Sequence, residues 1–104
     1  MEEIVVEDYA ALRATLPHTV LDVREAWEFE LCHLRGSRHI PLGELAQRVT
    51  ELDRAQTLVV ICHHGLRSRA AQAWLLAQGF AHVLNLAGGI DAWARRIDPS
   101  LSLY

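Results

Sequence analysis

Lysine is absent from the chain: all ten basic residues are arginine, set against thirteen acidic ones. The net charge of −3 runs against a dedicated nucleic-acid binder, because a phosphate backbone rewards a basic surface. Cysteine is scarce, with only Cys32 and Cys62, thirty positions apart, where a small secreted scaffold would carry four or more at tight spacing. A disulfide framework is therefore not expected. Long apolar runs are missing too. Leu58-Val59-Val60-Ile61-Cys62 is far too short to span a bilayer. The first residues, Met1 to Val6, lack the basic-then-apolar pattern of a secretion signal, so the expectation is a cytoplasmic protein with no membrane association. Three prolines and six glycines in 104 residues exclude collagen-like and low-complexity chains.

What is present is a core. Hydrophobic residues make up 51% and charged residues 22%, the balance of a packed domain, and 104 residues make one such domain, 1–104. The apolar pattern changes period repeatedly along it. Extended segments are expected at Ile4–Val6, Thr19–Val23, around Arg38–Pro41, at Thr57–Ile61 and at His82–Leu86. Helical spacing is expected from Glu7 to Thr15, closed by Pro17, then over Ala26–Leu31, Gly43–Leu52, Ser68–Gln78 with Gly79 behind it, and Ile90 to Arg96. A solid Leu-Val-Val-Ile run belongs in a parallel sheet covered on both faces. Strands alternating with helices then give an α/β fold with right-handed crossovers.

In such a sheet, ligands bind beyond the carboxyl ends of the strands. Cys62 stands there, followed by His63-His64-Gly65-Leu66-Arg67-Ser68 and the strongest helix. Backbone N–H groups curled into a nest, with Gly65 allowing a left-handed turn and a helix dipole behind them, favour the thiolate, the nucleophilic form of cysteine. Two histidines, a glycine and an arginine make a poor apolar cap for a buried cysteine but a good cradle for an anion. His63 to Ser68 are accordingly the candidate substrate-binding residues. Asp22 and Arg24, at the end of the neighbouring strand, are candidates for supporting the loop, with Asp22 placed to orient Arg67. Ion pairing of Arg24 with Glu25 or Glu28 is the structural alternative. No metal is expected, because the cysteines are not paired at zinc-ligand spacing and adjacent His63 and His64 cannot easily chelate one ion from a tight loop. Trp27, Trp74 and Trp93 fall in amphipathic helical context and are expected to pack in the core or at its rim. His18 and His82 adjoin turns and are expected in solvent. The tail after residue 96 is expected to fold back through Leu101 and Leu103.

The C-x-x-x-x-R loop from Cys62 to Arg67 resembles the active-site loop of the rhodanese family. Leu21-Asp22-Val23-Arg24-Glu25 is similar to a second family block. Glu28-Phe29 with His33-Leu34, Gly36-Ser37 and His39-Ile40-Pro41 is similar to a third, and Gly88-Gly89-Ile90-Asp91-Ala92-Trp93 to a fourth. Four blocks in order cover nearly the whole chain. The resemblance implies a rhodanese-like domain with a five-stranded parallel sheet flanked by helices on both faces. It also implies a persulfide carried on Cys62 and no cofactor. The implied reaction takes a sulfane sulfur from thiosulfate or a similar donor and passes it to cyanide, a thiol or a sulfur-carrier protein. Arg67 is then expected to grip the donor's sulfonate with two hydrogen bonds, unless a carboxylate such as Asp22 holds it. Cysteine phosphatases of this fold need C-x5-R, and counting from Cys62 puts Ser68 where their arginine stands. A non-catalytic sulfur-binding or regulatory module is the third reading. Cys32 occupies a position where the family usually has glycine. A resolving thiol and a small residue tolerated at a turn both fit, and the second is preferred.

Overall fold

The structure, a computed structural model, describes residues 2–104. Five parallel strands, β1 (Glu3–Ile4), β2 (Thr19–Asp22), β3 (Arg38–His39), β4 (Leu58–Ile61) and β5 (Val83–Leu86), form one sheet in the order β1-β5-β4-β2-β3. Five α-helices join them: α1 (Val6–Leu12), α2 (Ala26–Leu31), α3 (Leu45–Arg48), α4 (Leu66–Ala77) and α5 (Gly89–Arg96).

β4 lies in the middle, and every one of its residues is buried. A strand turns successive side chains to opposite faces. Leu58 and Val60 therefore join Leu21, Val23, Leu45, Ala71, Leu75 and Phe80 in one core cluster, under α3 and α4. Val59 and Ile61 join Val6, Tyr9, Val20, Leu86 and Trp93 in the other, under α1 and α5. Burial of this continuous apolar strand on both faces is why the run contains no polar residue. Cys62, the next position after β4, extends the α3–α4 cluster to the rim of the sheet.

Some boundaries differ from those expected. The stretch read as one helix over Gly43–Leu52 is a 3₁₀ turn (Leu42–Glu44), a single α-turn (α3) and a second 3₁₀ turn (Val49–Glu51). Gly43 and the β-branched pair Val49-Thr50 weaken a regular helix there. α1 ends at Leu12 rather than Thr15. α4 and α5 each begin earlier than read, at Leu66 and Gly89, because the preceding glycines, Gly65 and Gly88, take left-handed φ values of 104° and 81° and turn the chain directly into the helix. Trp93 is core and Trp74 packs on its edge, but Trp27 is 61% exposed, lying edge-on to Tyr104. His82 is exposed as expected, whereas His18 is half-buried and its Nε2 lies 2.7 Å from the Tyr9 hydroxyl. Among the described residues, no helix is long and apolar enough to cross a membrane.

Candidate active site

The carboxyl end of β4 and the N-terminus of α4 meet at a loop wrapped around one sulfur atom. The Gly65 N–H donates to Cys62 Sγ at 3.1 Å and the Ser68 N–H at 3.3 Å. The Cys62 thiol is in turn 3.3 Å from Ser68 Oγ, which donates to Asn85 Oδ1 on β5. Asn85 returns its amide N–H to the Gly65 carbonyl at 3.2 Å and to Glu3 Oε2 at 2.8 Å. Sequence reading of the loop did not include Asn85. A fully buried polar residue inside Val-Leu-Asn-Leu is the signal that could have found it.

The start of the loop is clamped from the other side by α5. Its first amides, at Ile90 and Asp91, donate to the carbonyls of Cys62 (2.9 Å) and His63 (3.1 Å). So close an approach of two backbones leaves no room at Gly89: a Cβ there would lie 2.4 Å from the His63 carbonyl oxygen and 2.5 Å from that of Cys62. Leu66, at the crest of the loop, is 73% exposed. Arg67 forms a two-pronged pair with Glu28, Nη1 to Oε1 at 2.6 Å and Nη2 to Oε2 at 2.8 Å.

The rhodanese-like domain family matches residues 5–96, the span that holds both halves of this clamp. The chain belongs to that family. It is 40% identical over 74 residues to "Thiosulfate sulfurtransferase GlpE" of Ectopseudomonas mendocina, covering 71% of this chain and 68% of that one. It is also 40% identical over 79 residues to "Putative sulfur carrier protein YrkF" of Bacillus subtilis, covering 76% of this chain and 43% of that one, so it spans less than half of that relative. The crystal structure of a rhodanese-related protein from Thermoplasma volcanium superposes with a TM-score of 0.86 at 33% identity, over 93% of this chain and 94% of the other.

Within this rhodanese domain, Asp22 and Arg24 act at one remove from the loop. Both are fully buried and bind each other, Arg24 Nη2 to Asp22 Oδ2 at 2.7 Å and Nε to Oδ1 at 2.9 Å. Asp22 therefore does not orient Arg67, and Arg24 pairs with neither Glu25 nor the Glu28 carboxylate. The two side chains are i and i+2 at a strand end, where they share a side and close the ring locally. The guanidinium also donates to the carbonyls of Glu28 (3.2 Å), within α2, and of Cys32 (2.7 Å), just past its last residue. Asp22 and Arg24 thus fix α2, α2 presents Glu28, and Glu28 holds Arg67. Glu28 also receives the Glu25 N–H at 2.9 Å in a capping box, so the start of α2 is locked by the same carboxylate.

The segment after α5 returns to this place, although not as expected. Leu101 is half-buried against the α1–α5 cluster, but Leu103 is 52% exposed. Tyr104 makes the contact instead. Its ring stacks on His63 at 3.9 Å and 7°, and its hydroxyl donates to Glu28 Oε2 at 2.7 Å while accepting from Arg24 Nη1 at 2.9 Å. Nothing in the sequence marked Tyr104 as part of the site. Burial, opposed in part by Arg24 and reinforced by Glu28, pushes its hydroxyl up to about 12. His63 is held below the ordinary histidine value by burial, with His64 adding to the effect. Cys32 is buried, with Sγ 3.3 Å from the Ser102 carbonyl, and it is a free thiol. One grouping was not foreseen: the ligand atoms of His63, His64 and Asp91 lie within 4.8 Å of one another. Asp91 comes from α5 and is already paired with Arg95 at 3.0 Å.

The hydrogen bonds from Arg67, set against the cost of burial, hold the Glu28 carboxyl at about 2, below its ordinary 4.5. A depressed carboxylate contributes stability above the ordinary value and loses it as pH falls toward the folded one. The expected result is an acid-unfolding slope between about pH 4.5 and pH 2 that is shallower in Glu28→Gln than in the parent. Urea midpoints measured across that window check it. Parallel slopes would show that the pair adds nothing to the folded state.

Proposed function

We propose that this rhodanese domain is a sulfurtransferase that works through a persulfide on Cys62. The observation that carries the reading is the pair of backbone N–H groups, from Gly65 and Ser68, aimed at Cys62 Sγ inside a C-x4-R loop. The Cys62 thiolate attacks the outer sulfur of thiosulfate or a related donor. The donor's S–S bond breaks, its electron pair leaves with sulfite, and a new S–S bond forms on Cys62. Backbone donors already in place cost no reorganisation when the sulfur arrives, which is the logic of an oxyanion hole applied to sulfur. A thiolate, cyanide or the thiol of a carrier protein then attacks the terminal sulfur and releases Cys62. Two half-reactions through one covalent intermediate predict ping-pong kinetics. The GlpE and YrkF names of its relatives support this class of chemistry. Phosphoester hydrolysis is disfavoured by the loop length, because Ser68 stands where a C-x5-R loop carries its arginine, and Arg67, one place earlier, is paired with Glu28.

The test is the intact mass after incubation with thiosulfate. A gain of one sulfur atom is expected, mapping to the peptide of Cys62 and reversed by cyanide. Cys32→Ser is expected to keep both the gain and most of the turnover, since the Cys32 thiol faces the Ser102 carbonyl. A sulfur atom found on Cys32, or none on either cysteine, would refute the assignment.

A further inference from the structure

Eight of the ten arginines give a guanidinium N–H to a carboxylate or carbonyl oxygen. Among the described residues, Arg13 and Arg35 are the two that do not, in a chain where acidic side chains outnumber basic ones. Both line one open cavity of about 260 Å³. It lies at the amino ends of the strands, the opposite end of the sheet from Cys62. Arg13 follows α1, Thr19 opens β2, and Arg35 stands in the turn before β3. None of the described residues that line it is acidic.

Arg13 is held there without using its N–H groups. Its guanidinium carbon lies 5.0 Å from the Trp93 ring centre and 5.9 Å from that of Tyr9, and a cation–π contact leaves the edges of the fork free. The wall beside it is already satisfied. His18 Nδ1 donates to the Leu16 carbonyl at 2.6 Å, so in the neutral ring its Nε2 accepts from the Tyr9 hydroxyl at 2.7 Å. Thr19 Oγ accepts from the Gln56 amide, which leaves its own O–H to donate elsewhere. Packing and the end of α1 suffice to explain Arg13, since a cation suits a helix C-terminus. They do not explain Arg35, a second guanidinium at the same cavity.

We propose that this cavity binds a tetrahedral oxyanion of two negative charges, of which phosphate is the type, free or as the end of a short ester. Arg13 and Arg35 supply two positive charges and two planar forks that match phosphate oxygens, and the Thr19 hydroxyl adds a neutral donor. The volume falls below the roughly 300–1,000 Å³ of drug-sized pockets, which admits the anion with a short stem rather than a nucleotide. No residue of the Cys62 loop lines this cavity, and the inference stands apart from the sulfur-transfer reading.

The experiment titrates the ¹⁵N-labelled protein with inorganic phosphate, methyl phosphate and acetate at constant ionic strength, following backbone amide signals. The pH is held at about 8, where a phosphate ester carries its second charge. Saturable shifts are expected at Thr19, Val20, Arg35 and Gly36 with both phosphates, and binding at least about tenfold weaker with acetate, which brings one charge. Arg13→Gln and Arg35→Gln are each expected to weaken phosphate about tenfold, the scale of one charge-assisted hydrogen bond. Arg54→Gln is the matched control. Arg54 lies over the Phe80 ring at 5.3 Å as Arg13 lies over Trp93, but it donates to the Gln78 carbonyl and lines no part of the cavity. It is expected to leave the affinity within about twofold. Arg35→Gln, at an exposed turn, keeps the proposal falsifiable should Arg13→Gln disturb the packing of Trp93. Tighter binding of methyl phosphate supports an ester as the ligand, and tighter binding of inorganic phosphate supports the free ion. Four results overturn the proposal: no saturable shift, shifts confined to residues 63–68, affinity unmoved by Arg35→Gln, or acetate binding as tightly as phosphate.

Discussion

Cys62→Ser is expected to abolish sulfur transfer while leaving the fold standing. A serine oxygen cannot form the S–S bond on which both half-reactions depend, and its hydroxyl is not ionised near neutral pH. Loss of a covalent nucleophile lowers turnover on the order of 10⁴-fold or more. The cost to stability is expected to be small because the site already satisfies a polar atom there: the N–H groups of Gly65 and Ser68 and the Ser68 hydroxyl surround it. A buried hydroxyl with such partners costs about 1 kcal/mol, not the several that an orphaned one would. Turnover with thiosulfate, measured beside a thermal melt, decides the matter. Residual activity above a few per cent in a folded variant would remove Cys62 from the mechanism.

Gly89→Ala is expected to be the most damaging single-methyl change in the chain. The new Cβ would stand 2.4 Å from the His63 carbonyl oxygen and 2.6 Å from its carbon, contacts that side chains do not make and that involve backbone, which cannot swing aside. Its φ of 62° adds the left-handed cost of any non-glycine residue. Relief requires α5 to draw back, breaking the bonds from Ile90 and Asp91 to the carbonyls of Cys62 and His63. Clash, strain and two lost hydrogen bonds together place the expected destabilisation at about 4 kcal/mol or more. Gly43→Ala is the matched control, with open space around its Cβ and no left-handed φ, and is expected to change stability by less than about 0.5 kcal/mol. Urea denaturation of both variants checks the contrast. A Gly89→Ala midpoint close to that of Gly43→Ala would show the clamp to be soft.

The parts of this architecture legible in the sequence are those written in contiguous residues. The all-apolar run of β4, the glycines before α4 and α5, and the C-x4-R spacing each follow from chemistry within a few positions. What was not legible is pairing across elements. Arg67 could be seen to need a partner or a ligand, but whether Asp22, Glu28 or a sulfonate meets it depends on how α2 lies against α4. That arrangement is set by the Asp22–Arg24 pair beneath α2. Tyr104 carried no local signal at all, since its role comes from the path of the chain after α5. The starts of α4 and α5 were missed by one or two residues because a glycine there turns the chain directly into the helix.

The clamp between α5 and the Cys62 loop also has a consequence in time. A ribosome delivers Cys62 before it delivers Gly89, Ile90 and Asp91, so during synthesis this cysteine emerges with its strand but without the amides that fix its own carbonyl and that of His63. β4 must also wait for its neighbour β5, which pairs with β1 from the other end of the chain. A parallel sheet of this order has no hairpin to start from, and its contacts close late. The nascent polypeptide therefore carries Cys62 without its clamp. The enclosed sulfur site comes into being only when nearly all of these elements are present.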